Sequence, residues 1–272
     1  MAWRRAFSTL GCAGAPLADV LNRARRGGWH GVELRAAPGE PVHAELSPAA
    51  RSQVRKAFRD ASITPLSIAS YVEIDDPAAS DATVVTDLLR HVELASDIGA
   101  PFVRIFPGGP STDGAALRRL AVVARALDAF PDVTVALETH DSHSRGRDVR
   151  PLLDAVGSSR IKAIWDVQHP WRAGESVDET MELLGPHLAY VQITDARSVA
   201  DPTPAPFGTG ILPLREVYET LCRCGYEGWV SLEWASYWYP DAPPLDAALS
   251  AARLWFSGAL FDSRSLAGPG PC

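Results

Sequence analysis

Cysteine is scarce in this chain of 272 residues, and a long hydrophobic run is missing altogether. Four cysteines (Cys12, Cys222, Cys224 and Cys272) are too few and too scattered for a disulfide framework. Cys222 and Cys224 also lack the two-residue gap and the second pair that a zinc site needs. No run of about 18 apolar residues occurs, so no transmembrane helix is expected. The opening segment MAWRRAFSTLG has arginines but no apolar stretch and small-residue cleavage site behind them, and it does not read as a signal peptide. A cytoplasmic protein with reduced thiols is the expectation. Excess positive charge is missing too: 26 Lys+Arg stand against 33 Asp+Glu, a formal charge of −7. That argues against a broad basic surface for nucleic acid, where phosphates demand the opposite field.

What is present is an ordinary globular composition, 46% apolar and 22% charged, enough to fill a large core. Along the chain, short apolar runs that end in a polar residue alternate with longer stretches of helical period, about eight times. The strand candidates are residues 5–10, 30–35, 65–72, 102–106, 133–139, 161–166, 188–194 and 229–234. Several, such as FVRIF, VTVAL and IKAIW, are almost continuously apolar, as strands buried on both faces should be. Helix candidates lie between them. PLADVLNRARRGG closes on a glycine pair, and the segment at 47–61 opens with Ser47-Pro48, a cap and a first-turn proline.

Eight βα units in 272 residues, about 34 residues each, predict an α/β fold: a single-domain (β/α)8 TIM barrel over residues 1–272. A short disordered tail is expected from about residue 263. The competing open, doubly wound sheet usually carries G-x-G-x-x-G after its first strand, and STLGCAGAP does not spell it.

In such a barrel the C-terminal ends of the strands face the active-site mouth. The fifth run ends in Glu138-Thr139-His140, the sixth in Asp166, with His169 three residues on. The seventh carries Gln192, followed by Asp195 and Arg197, and the eighth ends in Glu233. Three carboxylates crowded into one pocket repel, and a divalent cation neutralises them. Glu138, Asp166, Gln192 and Glu233 would all ligate through hard oxygens, which suits Mg²⁺ or Mn²⁺ better than Zn²⁺ or Co²⁺.

The motifs GGWHGVELR, GAPFVRIFPGG, ALETH, WDVQHP, VQITDAR and VSLEW, spread over nearly the whole chain, resemble the sugar phosphate isomerase/epimerase superfamily. These are the xylose-isomerase-like barrels that include ketose 3-epimerases, hydroxypyruvate isomerases and the inosose and dehydroshikimate dehydratases. The resemblance places metal ligands at the ends of strands five to eight, which carries over to Glu138, Asp166, Gln192 and Glu233. Many members have His where this chain has Gln192, whereas hydroxypyruvate isomerases use Gln. The resemblance also makes Glu138 and Glu233 the catalytic acid–base pair, and gives His169 and Arg197 to substrate oxygens, the latter at a slightly different spacing. The implied activity is isomerisation or epimerisation of a small polyhydroxy ketone or keto acid by proton transfer through an enediolate. With a leaving hydroxyl β to the carbanion, the same site is a dehydratase, His169 serving as acid. Members often pair or form tetramers, so a homo-oligomer accords with the resemblance.

Other rim residues admit two readings. Arg104 either holds a substrate anion or pairs with Glu138. His140 either backs up Gln192 or orients a neighbour. Glu33 and Glu73 reach the mouth or stay in structural roles, Arg172 is open to a phosphate or carboxylate, and Trp171, Trp234, Tyr237 and Trp238 stack on a sugar or pack a lid. His30, His43, His91, His143 and His187 fit no motif and are expected at the surface. Two rival classes remain. An apurinic-site endonuclease of the same barrel type would need a trinuclear zinc site and more than seven histidines. A non-catalytic barrel would have only Gln192 in its favour.

Overall fold

In the computed structural model, residues 3–109 and 114–262 are described. The expected tail from about residue 263, with Cys272, lies outside them. Eight strands alternate with helices: β1 Arg4–Ser8, α1 Leu17–Gly27, β2 Gly31–Arg35, α2 Pro48–Ala61, β3 Thr64–Glu73, α3 Asp81–Ile98, β4 Phe102–Phe106 and α4 Ala115–Ala126 form the first half. The second half is β5 Thr134–Glu138, α5 Gly146–Val156, β6 Ile161–Asp166, α6 Gln168–Arg172, α7 Val177–Leu184, β7 Leu188–Ile193, α8 Leu214–Arg223, β8 Trp229–Leu232, α9 Leu245–Phe256 and α10 Ala259–Asp262. The strands run parallel in sequence order, and β1 pairs with β8 to close the barrel. The expected (β/α)8 architecture is therefore present.

The two-residue period of a strand sorts its side chains to two cores. Outward residues such as Val103, Ile105, Val135, Leu137, Trp165, Val191 and Ile193 are buried under the helices. Inward residues Ala6, Leu66, Ala136, Ile164, Tyr190 and Trp229 form a separate apolar plug inside the barrel. That is why the strands read as unbroken apolar runs. The helices stop where their sequences say they should. Gly28 takes a left-handed φ of 65° after α1, and its N–H bonds the Ala24 and Arg25 carbonyls. Ser47 Oγ accepts the Ala50 N–H at 3.3 Å, with Pro48 opening α2.

Three expectations need correction. The first and last strands are shorter than the apolar runs: β1 gives way to a 3₁₀ turn at Thr9–Cys12, and β8 stops at Leu232. Helix α5, implied by the eight βα units, was not among the helix candidates named from sequence; Pro151 lies inside it. Its start is secured from a distance: buried Glu175 accepts the Gly146 N–H at 2.6 Å and the Arg147 N–H at 3.2 Å. His91 is buried rather than on the surface, and its Nδ1 bonds the Asp87 carbonyl at 2.9 Å.

Candidate active site

The chemistry sits one step above the apolar plug. Two residues after Ala136, Ile164 and Tyr190 on the same inward face come Glu138, Asp166 and Gln192; Trp229 is followed by Ser231 and then Glu233. The sheet register sets Asp166 opposite Gln192 and Gln192 opposite Ser231, while Glu138 stands opposite Ile164. Glu233 lies just past β8, yet its N–H still bonds the Ile193 carbonyl at 2.9 Å, so the ladder fixes its position. Thr139 locks the ends of β5 and β6: its Oγ1 accepts the Asp166 N–H at 3.0 Å and donates to the Asp166 carbonyl at 3.2 Å.

A cavity of about 180 Å³ opens above this floor, lined by Glu138, Asp166, Glu233, Arg104, His140 and His169 among others. That is below the roughly 300–1,000 Å³ of sites that bury drug-sized ligands, so it suits a small one. One oxygen each from Glu138, Asp166 and Glu233 lies within 4.8 Å of the other two. Arg104 supplies partial neutralisation. Its Nη1 donates to Glu138 Oε2 at 2.9 Å and lies 3.9 Å from Glu233 Oε1, and its Nη2 donates to the Ser70 carbonyl at 3.0 Å. Burial opposes the arginine's charge, but Glu138 and Glu233 more than offset it and keep the guanidinium protonated. For Glu233 the balance goes the other way. Burial, then the Glu138 and Asp166 carboxylates, push its pKa well above the usual range. One cation among three clustered acids leaves the site short of positive charge.

Gln192 shows the same shortage at the level of one atom. Its Nε2 donates to Glu33 Oε2 at 3.2 Å and to Glu233 Oε1 at 3.4 Å. Its Oε1 is buried without a hydrogen-bond partner among the described residues. Beneath it, Glu33 is fully buried and accepts the Tyr190 hydroxyl at 2.7 Å, so the carboxylate is held against the amide nitrogen. The amide is thus turned with its oxygen spare. Three crowded carboxylates and one orphaned amide oxygen fit a single hard divalent cation. A second grouping, Glu138, His140 and His169, offers nitrogen donors within the same 4.8 Å limit.

The remaining predicted residues separate into those at the cavity and those away from it. His169 lines it, with Nε2 3.4 Å from Asp166 Oδ2; burial would lower its pKa, but the Asp166 carboxylate raises it overall. His140 also lines it, its ring 4.2 Å from that of His169 and 4.6 Å from Phe106. Arg104 takes the pairing reading with Glu138. Arg197 does not line the cavity: its side chain is 48% exposed, near Asp201, and its Nη2 donates to the Asp241 carbonyl. Of the aromatic candidates, Trp234 is buried in the outer core with Nε1 on the Pro243 carbonyl, whereas Trp238 lines the cavity. Glu73 is exposed at the end of β3. Asp195 has a structural task, accepting backbone N–H groups of Ala196, Gly208, Gly210 and Leu212 that shape the β7–α8 loop.

Arg35, Tyr71 and Phe106, from β2, β3 and β4, complete the opposite wall and were not singled out from sequence. Arg35 pairs with Glu40, donates to the Tyr71 hydroxyl at 2.8 Å, and lies 4.3 Å from the Tyr237 ring centre. Phe106 packs under the Arg104 guanidinium at 3.9 Å. The only signal for Arg35 was its place at the end of an apolar run; nothing marked Tyr71 or Phe106.

Fold and site together define a parallel α/β barrel with an oxygen-rich, acid-lined mouth. A sequence profile of the xylose isomerase-like TIM barrel family matches residues 21–257, and the chain belongs to that family. A Streptomyces coelicolor protein assigned as a hydroxypyruvate isomerase is 30% identical over 154 residues, covering 52% of this chain and 53% of that one. The fructoselysine 3-epimerase of Escherichia coli O157:H7 is 31% identical over 106 residues, 39% of this chain and 38% of that one. The chain therefore matches about half of the first relative's length and less of the second's. Solved structures share the fold across nearly the whole chain. An L-ribulose 3-epimerase superposes with TM-score 0.75 at 17% identity, covering 99% of this chain and 100% of its own. IolI, solved with a bound zinc atom, gives 0.75 at 16% identity, covering 97% and 100%. AsbF of Bacillus anthracis, described as a 3-DHS dehydratase in petrobactin synthesis, gives 0.73 at 17% identity, covering 93% and 99%. No helix among the described residues is long and apolar enough to cross a membrane.

Proposed function

We propose that this protein is a divalent-metal-dependent isomerase or epimerase that moves a proton on a small polyhydroxy ketone or keto acid. The observation that carries this reading is the pair Glu138 and Glu233, both within 4 Å of the same Arg104 nitrogen at the cavity floor. Two carboxylates in one small cavity can share the two halves of a proton transfer, one removing the proton next to a carbonyl and the other returning it at the neighbouring carbon or the opposite face. Arg104 donates to Glu138 Oε2 at 2.9 Å and fixes its orientation, which suits a base. Glu233, the second carboxylate at the cavity floor, would hand a proton back. Glu138, Asp166, Gln192 and Glu233 would hold the metal, with Mg²⁺ or Mn²⁺ favoured by the all-oxygen donor set. When bound, that ion supplies polarisation of the substrate carbonyl and stabilises negative charge on its oxygen. The relatives assigned as hydroxypyruvate isomerase and fructoselysine 3-epimerase support this class of reaction.

Dehydration is the second reading, and His169 favours it. Its imidazole is raised towards the protonated form by Asp166 and lines the cavity, where it can protonate a leaving hydroxyl. The test is proton NMR in D₂O on Mg²⁺-loaded protein with ketoses, hydroxypyruvate, inososes and dehydroshikimate, plus a quenched assay with Mn²⁺. Deuterium next to a carbonyl supports isomerisation, and a vinylic or aromatic product supports dehydration. No exchange and no product with any member under either metal would overturn both.

A further inference from the structure

The charges around the cavity are nearly all accounted for by partners. Arg35 is paired with Glu40, Arg104 with Glu138, and His169 with Asp166. Arg172, the last residue of α6, also lines the cavity, but among the described residues no carboxylate pairs with it. Its Nε donates to the Val199 carbonyl at 2.9 Å, which tethers the guanidinium to the β7–α8 loop and leaves its terminal nitrogens, the fork that binds an anion in two-pronged fashion, without a partner among the described residues. Arg172 lies close enough to His169 for its charge to be felt there, opposing the proton that Asp166 favours. Helix α6 explains the placement. Asp166 Oδ1 accepts the Gln168 N–H at 2.9 Å, so the carboxylate at the floor also fixes the start of the turn that carries His169 and then Arg172.

The geometry points to Arg172 as the anchor for an anionic group on the substrate, a carboxylate or a phosphate. Only an anion gives this tethered guanidinium a charged partner, and a neutral sugar leaves it facing hydroxyls alone. The substrate class is thereby narrowed from any small ketose to a sugar acid or sugar phosphate. This inference rests on the proposed use of the cavity as the substrate site, but not on the reaction that occurs there.

The test uses three probes with one carbon skeleton and no carbonyl to enolise: D-glycerate, glycerol and sn-glycerol 3-phosphate. Their dissociation constants are measured by calorimetry or ligand-observed NMR on Mg²⁺-loaded wild-type protein and on Arg172→Ala and Arg172→Lys. Binding of one or both anions about tenfold or more tighter than glycerol is expected. Arg172→Ala should erase that preference while leaving glycerol and the folded spectrum unchanged, and Arg172→Lys should restore part of it. A phosphate-only or carboxylate-only preference identifies which anion the site takes. An equal or undetectable affinity for all three, or a preference that survives Arg172→Ala, overturns the inference. Deuterium exchange with any substrate alongside such a result would sink this inference and leave the proposed reaction standing. Anion preference without exchange would do the reverse.

Discussion

The two halves of the barrel mouth carry opposite chemistry. At the ends of strands β5 to β8 stand Glu138, Asp166, Gln192 and Glu233, a wall of oxygens that shares its side of the mouth with two basic residues, His169 and Arg172, from helix α6 after β6. Strands β2 to β4 contribute Arg35 and Arg104, each set against aromatic rings: Arg35 over Tyr71 and Tyr237, Arg104 over Phe106 and Tyr71. Only Arg104 reaches across to the acidic wall. The difference separates two tasks. On the proposed reading the acidic wall would hold the metal and move protons, while the basic, aromatic wall, paired with Glu138 through Arg104, would orient what enters.

If the acidic wall does the proton chemistry, Glu138→Gln and Glu233→Gln should each lower turnover by about 10²–10⁴-fold while the circular dichroism stays native. Near wild-type rates for either variant would end the two-carboxylate account. Arg104→Met attacks the link between the walls. It leaves Glu138 buried without its partner, and the loss in unfolding free energy of metal-free protein should be about 3–5 kcal/mol. Added divalent metal should recover a good part of that, since the ion replaces the missing charge; a loss indifferent to metal would make Arg104 merely structural. Glu33→Gln should act more gently. An amide there offers an N–H to Gln192, turns that side chain over and points its oxygen away from the other ligands, so metal affinity should fall about 10–100-fold with little change in stability. Unchanged affinity would mean that Gln192 is not a ligand. The smallest effect is on pH. Burial and acidic neighbours raise the pKa of Glu233, so the metal-free protein keeps that proton to higher pH than an ordinary carboxylate would. A metal must displace it, and affinity should rise with pH through that range by up to about tenfold per unit, levelling off above it. A flat profile by titration across pH 5–8 would show that Glu233 is already ionised.

The acidic wall was legible in the sequence because Glu138, Asp166 and Glu233 each follow an apolar run and Gln192 sits near the end of another, where a barrel strand meets the mouth. The eight-fold alternation gave the barrel for the same reason. The basic wall was not legible. Tyr71 and Phe106 look like any strand aromatic, and their role depends on which arginine lies across from them. Arg197, assigned by resemblance although its spacing differs, lies outside the cavity, on the loop that Asp195 draws around itself with its backbone bonds. The start of helix α5 was not legible either, since Glu175, which caps it, comes from 29 residues further along. His91 was set aside because it fits no motif, although its spacing from Val84, Leu88, Ala95 and Ile98 places it on the buried stripe of α3.

The central claim is that the β5–β8 wall is a metal centre, and a calorimetric titration of the metal-free protein with Mn²⁺ tests it most directly. The account predicts one ion per chain, proton release that grows as the pH is lowered from 8, and loss of binding in Asp166→Asn. Absence of saturable binding, or several weak equivalents that Asp166→Asn leaves untouched, would contradict it.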